Sequence, residues 1–119
     1  MRFLTMVKMN DEQVGKNPPP PELMAACNAY AEEGMKEGVL LELGGLRGLD
    51  AGAEVRVRDG KVTVLDGPYA EAKEVIGGYA ILEVRSKEEA VERARRLMQI
   101  HADLWPGFDG ACEVRQYQE

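Results

Sequence analysis

Two stretches with helical periodicity, each set between strand-like stretches, constrain the fold of this chain most. Apolar residues recur every three or four positions across Leu23–Met35 and again across Ala90–His101, which is the spacing of an amphipathic helix that buries one stripe. Ser86 and Glu89 precede the second stripe at capping-box spacing, so this helix is predicted to begin there. The arginines that fall off the second stripe are expected in solvent: Arg93, Arg95 and Arg96.

The remaining apolar segments alternate in a way that predicts strands. They are Arg2–Met9, Val39–Leu46, a hairpin over Glu54–Leu65, Ile76–Val84 and Ala111–Tyr117. The resulting order of strands and helices is that of an α+β, ferredoxin-like βαββαβ sandwich with an inserted β-hairpin. At 119 residues the chain is expected to form one domain, residues 1–119.

The pair Asp59-Gly60 sets the predicted register of the hairpin, because it favours a two-residue turn whose twist matches the strands. Counting outward from the turn puts valines on one face and polar residues on the other: Val55, Val57, Val62 and Val64 against Arg56, Arg58, Lys61 and Thr63. We expect the valine face to be buried. The basic face is either solvated or holds an anion that relieves the repulsion between Arg58 and Lys61.

Two of the main strands, Arg2–Met9 and Ile76–Val84, carry apolar residues on both faces. Two helices can cover only one face of the sheet, so the other face needs a partner. A second copy of the chain is the simplest partner. We therefore expect a homodimer whose sheets pack face to face.

Composition argues against several classes of partner and cofactor. The formal net charge of −6 disfavours nucleic acid and anionic membranes, and no apolar run is long enough to span a bilayer, so a cytoplasmic protein is expected. Cys27, Cys112 and the single His101 are too scattered for a metal site, so no metal is expected. Gly44, Gly45 and Gly48 are predicted to form a loop rather than a phosphate cradle, because no helix opens directly after them; no cofactor is expected.

The segment Asp66–Glu74 combines turn formers, charges and an aromatic residue. Gly67 and Pro68 fix a sharp turn that aims the side chains of Asp66 and Tyr69. If the turn buries Asp66, its carboxyl is a candidate general acid or base. The alternative is that Asp66 caps a short helical turn over Tyr69–Lys73 by accepting from its exposed amides.

Other residues near this segment are candidate ligand contacts. Glu71 and Lys73 either touch a ligand or belong to a solvated loop or an ion pair across the dimer. Tyr69 and Tyr79 either orient a polar ligand through their hydroxyls or simply pack beside the sheet. His101 ends the apolar stripe of the second helix, where the helix dipole explains it, but an imidazole is also a natural proton-transfer group near neutral pH.

The run Asp66-Gly67-Pro68-Tyr69-Ala70-Glu71-Ala72-Lys73-Glu74, followed by Gly77-Gly78-Tyr79, resembles the DGPF family of YCII-related proteins, and the likeness extends over nearly the whole chain. The resemblance implies the dimeric α+β barrel form of the ferredoxin-like fold. Family members are often encoded beside, or fused to, extracytoplasmic-function sigma factors, so it also implies a possible sigma-factor association. Tyr69 replaces the family's phenylalanine, and the first helix lacks the histidine of the histidine–aspartate pair found in some members. Only Asp66 carries over by motif.

These observations favour an unknown small-molecule-binding or regulatory homodimer. The alternative is a cofactor-independent lyase, isomerase or hydrolase that uses Asp66 with Tyr69 or His101 for proton transfer. A third hypothesis is a purely structural dimer without a ligand.

Overall fold

The structure, a computed structural model, describes residues 1–10, 17–67 and 74–119. Its elements are β1 (Arg2–Asn10), α1 (Pro21–Lys36), β2 (Leu40–Gly45), a 3-10 turn (Leu49–Ala51), β3 (Ala53–Arg58), β4 (Lys61–Asp66), β5 (Glu74–Glu83), α2 (Lys87–Leu104) and β6 (Gly110–Gln116). The predicted order of strands and helices is confirmed.

A four-stranded antiparallel sheet in the order β2-β5-β1-β6 forms the body of the fold. The two strands predicted to be apolar on both faces, β1 and β5, are its central pair. Both helices lie on one face, where Phe3 and Leu82 form a core with Ala90 of α2. This arrangement confirms the predicted ferredoxin-like α+β fold.

The ends of the helices follow from local chemistry. Pro21 occupies the first turn of α1, where its missing amide hydrogen costs nothing. Ser86 Oγ accepts a hydrogen bond from the Glu89 amide at 3.1 Å, as the capping box predicts. The Glu89 carboxylate accepts from the amide of Arg85, also at 3.1 Å, rather than from that of Ser86.

The hairpin β3–β4 has the predicted register, with Val57 opposite Val62 and Arg58 opposite Lys61. Its valine face, however, is not buried: Val55, Val57, Val62 and Val64 are each 66–68 % exposed. The reason is topological, because β3 and β4 form a separate two-stranded sheet rather than extending the main one. Within the described part of one chain, nothing covers the valine face.

The predicted glycine loop and the predicted exposure of Arg93 are both wrong. Gly44 and Gly45 belong to β2 instead of a loop, because they pair with Tyr79 and Gly78 of β5. Arg93 is not in solvent, since its side chain is only 16 % exposed and forms an ion pair with Glu37 at the end of α1. Among the helices of the described residues, none has the length and apolarity needed to cross a membrane.

Candidate functional site

A cavity of about 450 Å³ lies between the two helices and the face of the sheet that they cover. Its walls come from β1, α1, β2, β5 and α2 and are mainly apolar; they include Val7, Leu23, Cys27, Leu40, Leu97 and Trp105. Concave sites of this size, with apolar walls and few polar groups, are the usual binding sites for small molecules. The cavity is therefore the candidate site of this chain.

Contacts near the C-terminal end of α1 position this helix beside the cavity. At Gly34 the helix is in close contact with β2, since a Cβ atom there would lie 3.1 Å from the Leu40 Cβ. The Tyr30 hydroxyl donates to the Arg93 carbonyl at 3.1 Å, and Arg93 pairs with Glu37. These contacts fix α1 against α2 and β2, which sets the position of the α1 side of the cavity.

Two ring side chains with polar nitrogen atoms, His101 and Trp105, line the cavity at the C-terminal end of α2. His101 is 8 % exposed, and its Nδ1 lies 2.8 Å from the Leu97 carbonyl oxygen one turn earlier. Trp105 is 7 % exposed, and its indole Nε1 is buried without an acceptor among the described residues. Phe108 packs against both rings, with centroid distances of 5.1 Å to His101 and 4.9 Å to Trp105. This aromatic cluster holds one imidazole and one indole at the wall.

The two cysteines are free thiols in different places. Cys27 lies in the cavity wall, and burial raises the pKa of its thiol. Cys112 lies on β6 beneath α2, near Met98, and burial likewise raises the pKa of its thiol. Since the thiolate is the nucleophilic form, neither thiol is activated for attack at neutral pH.

Asp66 ends β4 opposite Ala53, and its side chain is exposed. It is not among the described residues that line the cavity. Gly67 is needed where it stands, because its amide donates to the Gly52 carbonyl at 2.8 Å and a Cβ there would collide with the Leu49 carbonyl oxygen. The remaining residues predicted for this corner lie outside the described residues: Pro68, Tyr69, Glu71 and Lys73. A role for the corner in catalysis or binding stays a prediction.

Tyr79 and His101 are the sequence-predicted residues that border the cavity. The Tyr79 hydroxyl is engaged, since it donates to Glu42 Oε2 at 2.9 Å. This hydrogen bond, together with the carboxylate's charge, raises the pKa of the Tyr79 phenol. Tyr79 is paired with Met6 and Gly44, so its side chain and hydroxyl lie on the sheet face opposite the helices. The structure thus brings the side chain of His101 to the cavity and leaves the Tyr79 hydroxyl and Asp66 away from it.

Sequence reasoning missed Trp105 as a site residue and treated it only as the end of α2. The available signal was its position four residues after His101, because residues at that spacing share one face of a helix. Within the described ranges, no group of three or more histidine, cysteine, aspartate or glutamate side chains is placed to hold a metal ion.

Comparison with known proteins agrees with the fold. The family model for the YCII-related domain matches residues 1–107. The chain is also 32 % identical over 108 residues to the uncharacterized protein R00369 of Rhizobium meliloti (strain 1021), a match that covers 91 % of this chain and 76 % of that protein. The narrower likeness to DGPF proteins and the sigma-factor association stay predictions. The chain belongs to the YCII-related domain family.

Proposed function

We propose that this protein is a homodimeric receptor that binds a small, mainly apolar molecule in the cavity between its helices and its sheet. The observation that carries the proposal is the cavity of about 450 Å³ with its apolar walls and its imidazole and indole. Hydrophobic burial is the driving force, and removing roughly 250 Å² of apolar ligand surface from water contributes about 6 kcal/mol. The ligand's lost freedom offsets part of this, so we expect an affinity weaker than about 40 μM, toward the millimolar range.

Two apolar surfaces outside the cavity support the homodimer. On the sheet face opposite the helices, alternation along β1 and β5 presents Leu4, Met6 and Ile81. The second surface is the valine face of the hairpin, defined by Val55, Val57, Val62 and Val64. The first set is half-buried and the second is largely exposed within one chain. Apolar side chains left uncovered in this way are typical of contacts between subunits.

The binding proposal is tested with the neutral fluorescent probe N-phenyl-1-naphthylamine. Trp105 is the single tryptophan of the chain and lines the cavity, so energy transfer from Trp105 to the probe reports occupancy close to that ring. Ala31→Phe fills the cavity from α1, whereas Ala29→Phe places the same bulk on an exposed position of the same helix.

We expect saturable energy transfer in the wild type and in Ala29→Phe, and at least tenfold weaker binding in Ala31→Phe. Equal binding by the two variants, or no saturable binding by the wild type, would contradict the proposal. Light scattering at micromolar concentration tests the dimer, because the proposal requires the mass of two chains.

A further inference from the structure

We infer that the ligand carries a hydroxyl group that is held between His101 Nε2 and Trp105 Nε1, with the rest of the molecule apolar. This inference rests on the proposed binding function and names the polar chemistry of its ligand. It depends on two side chains, each more than nine-tenths buried, that stand four residues apart at the end of α2.

The hydrogen bond of His101 fixes its tautomer. Nδ1 lies 2.8 Å from the Leu97 carbonyl oxygen, and a carbonyl oxygen can only accept, so the proton of the neutral imidazole sits on Nδ1. Nε2 then carries a lone pair, and it has no hydrogen bond to a described residue. His101 therefore offers the cavity an acceptor.

Trp105 offers the complementary donor. Its Nε1–H can only donate, and it is buried with no acceptor within the described part of the chain. A buried donor without a partner costs free energy, so the Trp105 Nε1–H is poised to donate to an acceptor that enters the cavity. Because Trp105 is part of the cavity wall, a ligand oxygen is the partner that satisfies it.

An acceptor and a donor that lie close together favour a ligand group that can both donate and accept a hydrogen bond. The ring centroids of His101 and Trp105 are 6.2 Å apart and both rings line the cavity, so the two groups border the same part of it. A hydroxyl donates to Nε2 and accepts from Nε1–H. A carboxylate would face the Nε2 lone pair with its own negative charge, and a hydrocarbon would leave both groups unpaired.

Three probes of nearly the same shape separate these chemistries: p-cresol, p-xylene and p-toluate. Each competes at pH 8 against N-phenyl-1-naphthylamine bound to the wild-type protein. We expect p-cresol to displace the probe about tenfold more effectively than p-xylene, since two neutral hydrogen bonds are gained. We expect p-toluate to be the weakest competitor.

A spectroscopic measurement on the wild type identifies the groups involved. The chain has one histidine and one tryptophan, so the imidazole nitrogen and indole N–H resonances of ¹⁵N-labelled protein are expected to be assignable without ambiguity. p-Cresol is expected to move the His101 Nε2 resonance toward that of a hydrogen-bonded acceptor and to shift the Trp105 indole proton downfield. His101→Phe keeps an aromatic ring and is expected to abolish the preference for p-cresol over p-xylene.

These experiments distinguish a failure of the hydroxyl inference from a failure of the proposed binding function. If N-phenyl-1-naphthylamine does not bind, the binding function itself fails. If the probe binds but p-cresol and p-xylene compete equally, or p-toluate competes best, the hydroxyl inference is overturned while the apolar receptor stands. Should His101→Phe fail to fold, the wild-type resonances alone decide: an Nε2 resonance unchanged on saturation with p-cresol overturns the inference.

Discussion

The Tyr79 hydroxyl reaches Glu42 on the neighbouring strand, 2.9 Å from its Oε2, because the tyrosine ring lies directly over Gly44. Gly44 pairs with Tyr79 across β2 and β5, and a Cβ atom at Gly44 would lie 2.7 Å from the ring's Cε1 atom. The glycine is thus a packing requirement of the sheet and not a loop residue.

Gly44→Ala is therefore expected to lower the free energy of unfolding by about 1–3 kcal/mol, because the new methyl group displaces the tyrosine ring. Gly45→Ala is the matched control, since no described atom lies within 4 Å of its added Cβ. Urea denaturation measures both. In a Tyr79→Ala background the cost of Gly44→Ala should disappear; equal costs with and without the ring would show that Tyr79 is not the cause.

The cap of α2 gives a second stability prediction. Ser86→Ala removes the acceptor of the Glu89 amide and should destabilise the protein by about 1 kcal/mol. Lys87→Ala is the control, because it truncates the adjacent exposed side chain without touching the cap. The account of the helix start is wrong if the two variants unfold at the same urea concentration.

Lys8 and Glu113 form an ion pair on the sheet face opposite the helices, with 2.5 Å between Nζ and Oε1. This ion pair predicts that the free energy of unfolding depends on pH. Its hydrogen bond lowers the pKa of Glu113 below the ordinary value of 4.5 and raises that of Lys8 above 10.5. A lowered carboxyl pKa stabilises the folded state above about pH 4.5, and this stabilisation is lost as the pH falls through the folded pKa. The raised pKa of Lys8 likewise stabilises the folded state below about pH 10.5. This stabilisation is lost as the pH rises through the pKa of Lys8 in the folded protein.

Glu113→Gln should therefore unfold at lower urea concentration than the wild type at pH 7, and the difference should shrink as the pH falls below 4.5. Glu32→Gln, on the exposed surface of α1, is the control and should show no such trend. A difference for Glu113→Gln that stays constant from pH 7 to pH 3 would rule out the ion pair as its source.

The two thiols give an internal comparison for ligand binding. Because burial raises the pKa of both thiols, each should react slowly with Ellman's reagent at pH 7 and faster as the pH rises. N-Phenyl-1-naphthylamine should slow the reaction of Cys27 in the Cys112→Ser variant, since Cys27 lies in the cavity wall. It should leave Cys112 unaffected in the Cys27→Ser variant, and equal protection of both thiols would indicate binding elsewhere.

The valine face of the hairpin should matter for the dimer. The double variant Val57→Thr and Val62→Thr keeps β-branched side chains and the shape of the face but adds hydroxyls. If this face packs against a second copy, the dimer dissociation constant measured by analytical ultracentrifugation should rise at least tenfold. Thr63→Val on the opposite face serves as control, and an unchanged constant in the double variant would remove the hairpin from the interface.

The parts of the fold that the sequence predicts well are those decided by neighbouring residues. The turn at Asp59-Gly60 sets the hairpin register because Asp59 and Gly60 adopt φ angles of 51° and 76°. The apolar stripes of the two helices and the cap at Ser86 likewise depend on residues that are close together in the sequence. Alternation also identified which valines share a face, but not whether the same chain covers that face, because cover depends on distant elements.

The candidate site was harder to predict for the same reason. Gly67 restricts the direction of the chain at Asp66, yet turn chemistry cannot say whether a cavity lies in that direction. The cavity lies between α1, α2 and the sheet, and the arrangement at its polar end depends on packing among His101, Trp105 and Phe108. Periodicity placed His101 on the inner face of α2 and gave no indication of the empty space beside it.

The most direct test is where an apolar ligand binds, because the chain has apolar surface outside the cavity as well as within it. Methyl-labelled protein titrated with N-phenyl-1-naphthylamine reports on the cavity wall and on the valine face in one NMR experiment. We expect saturable shifts of the methyl groups of Leu23, Leu40 and Leu97 in the cavity wall, and none for Val55, Val57, Val62 or Val64. Shifts confined to the hairpin valines, with the cavity methyl groups unchanged, would contradict binding in the cavity.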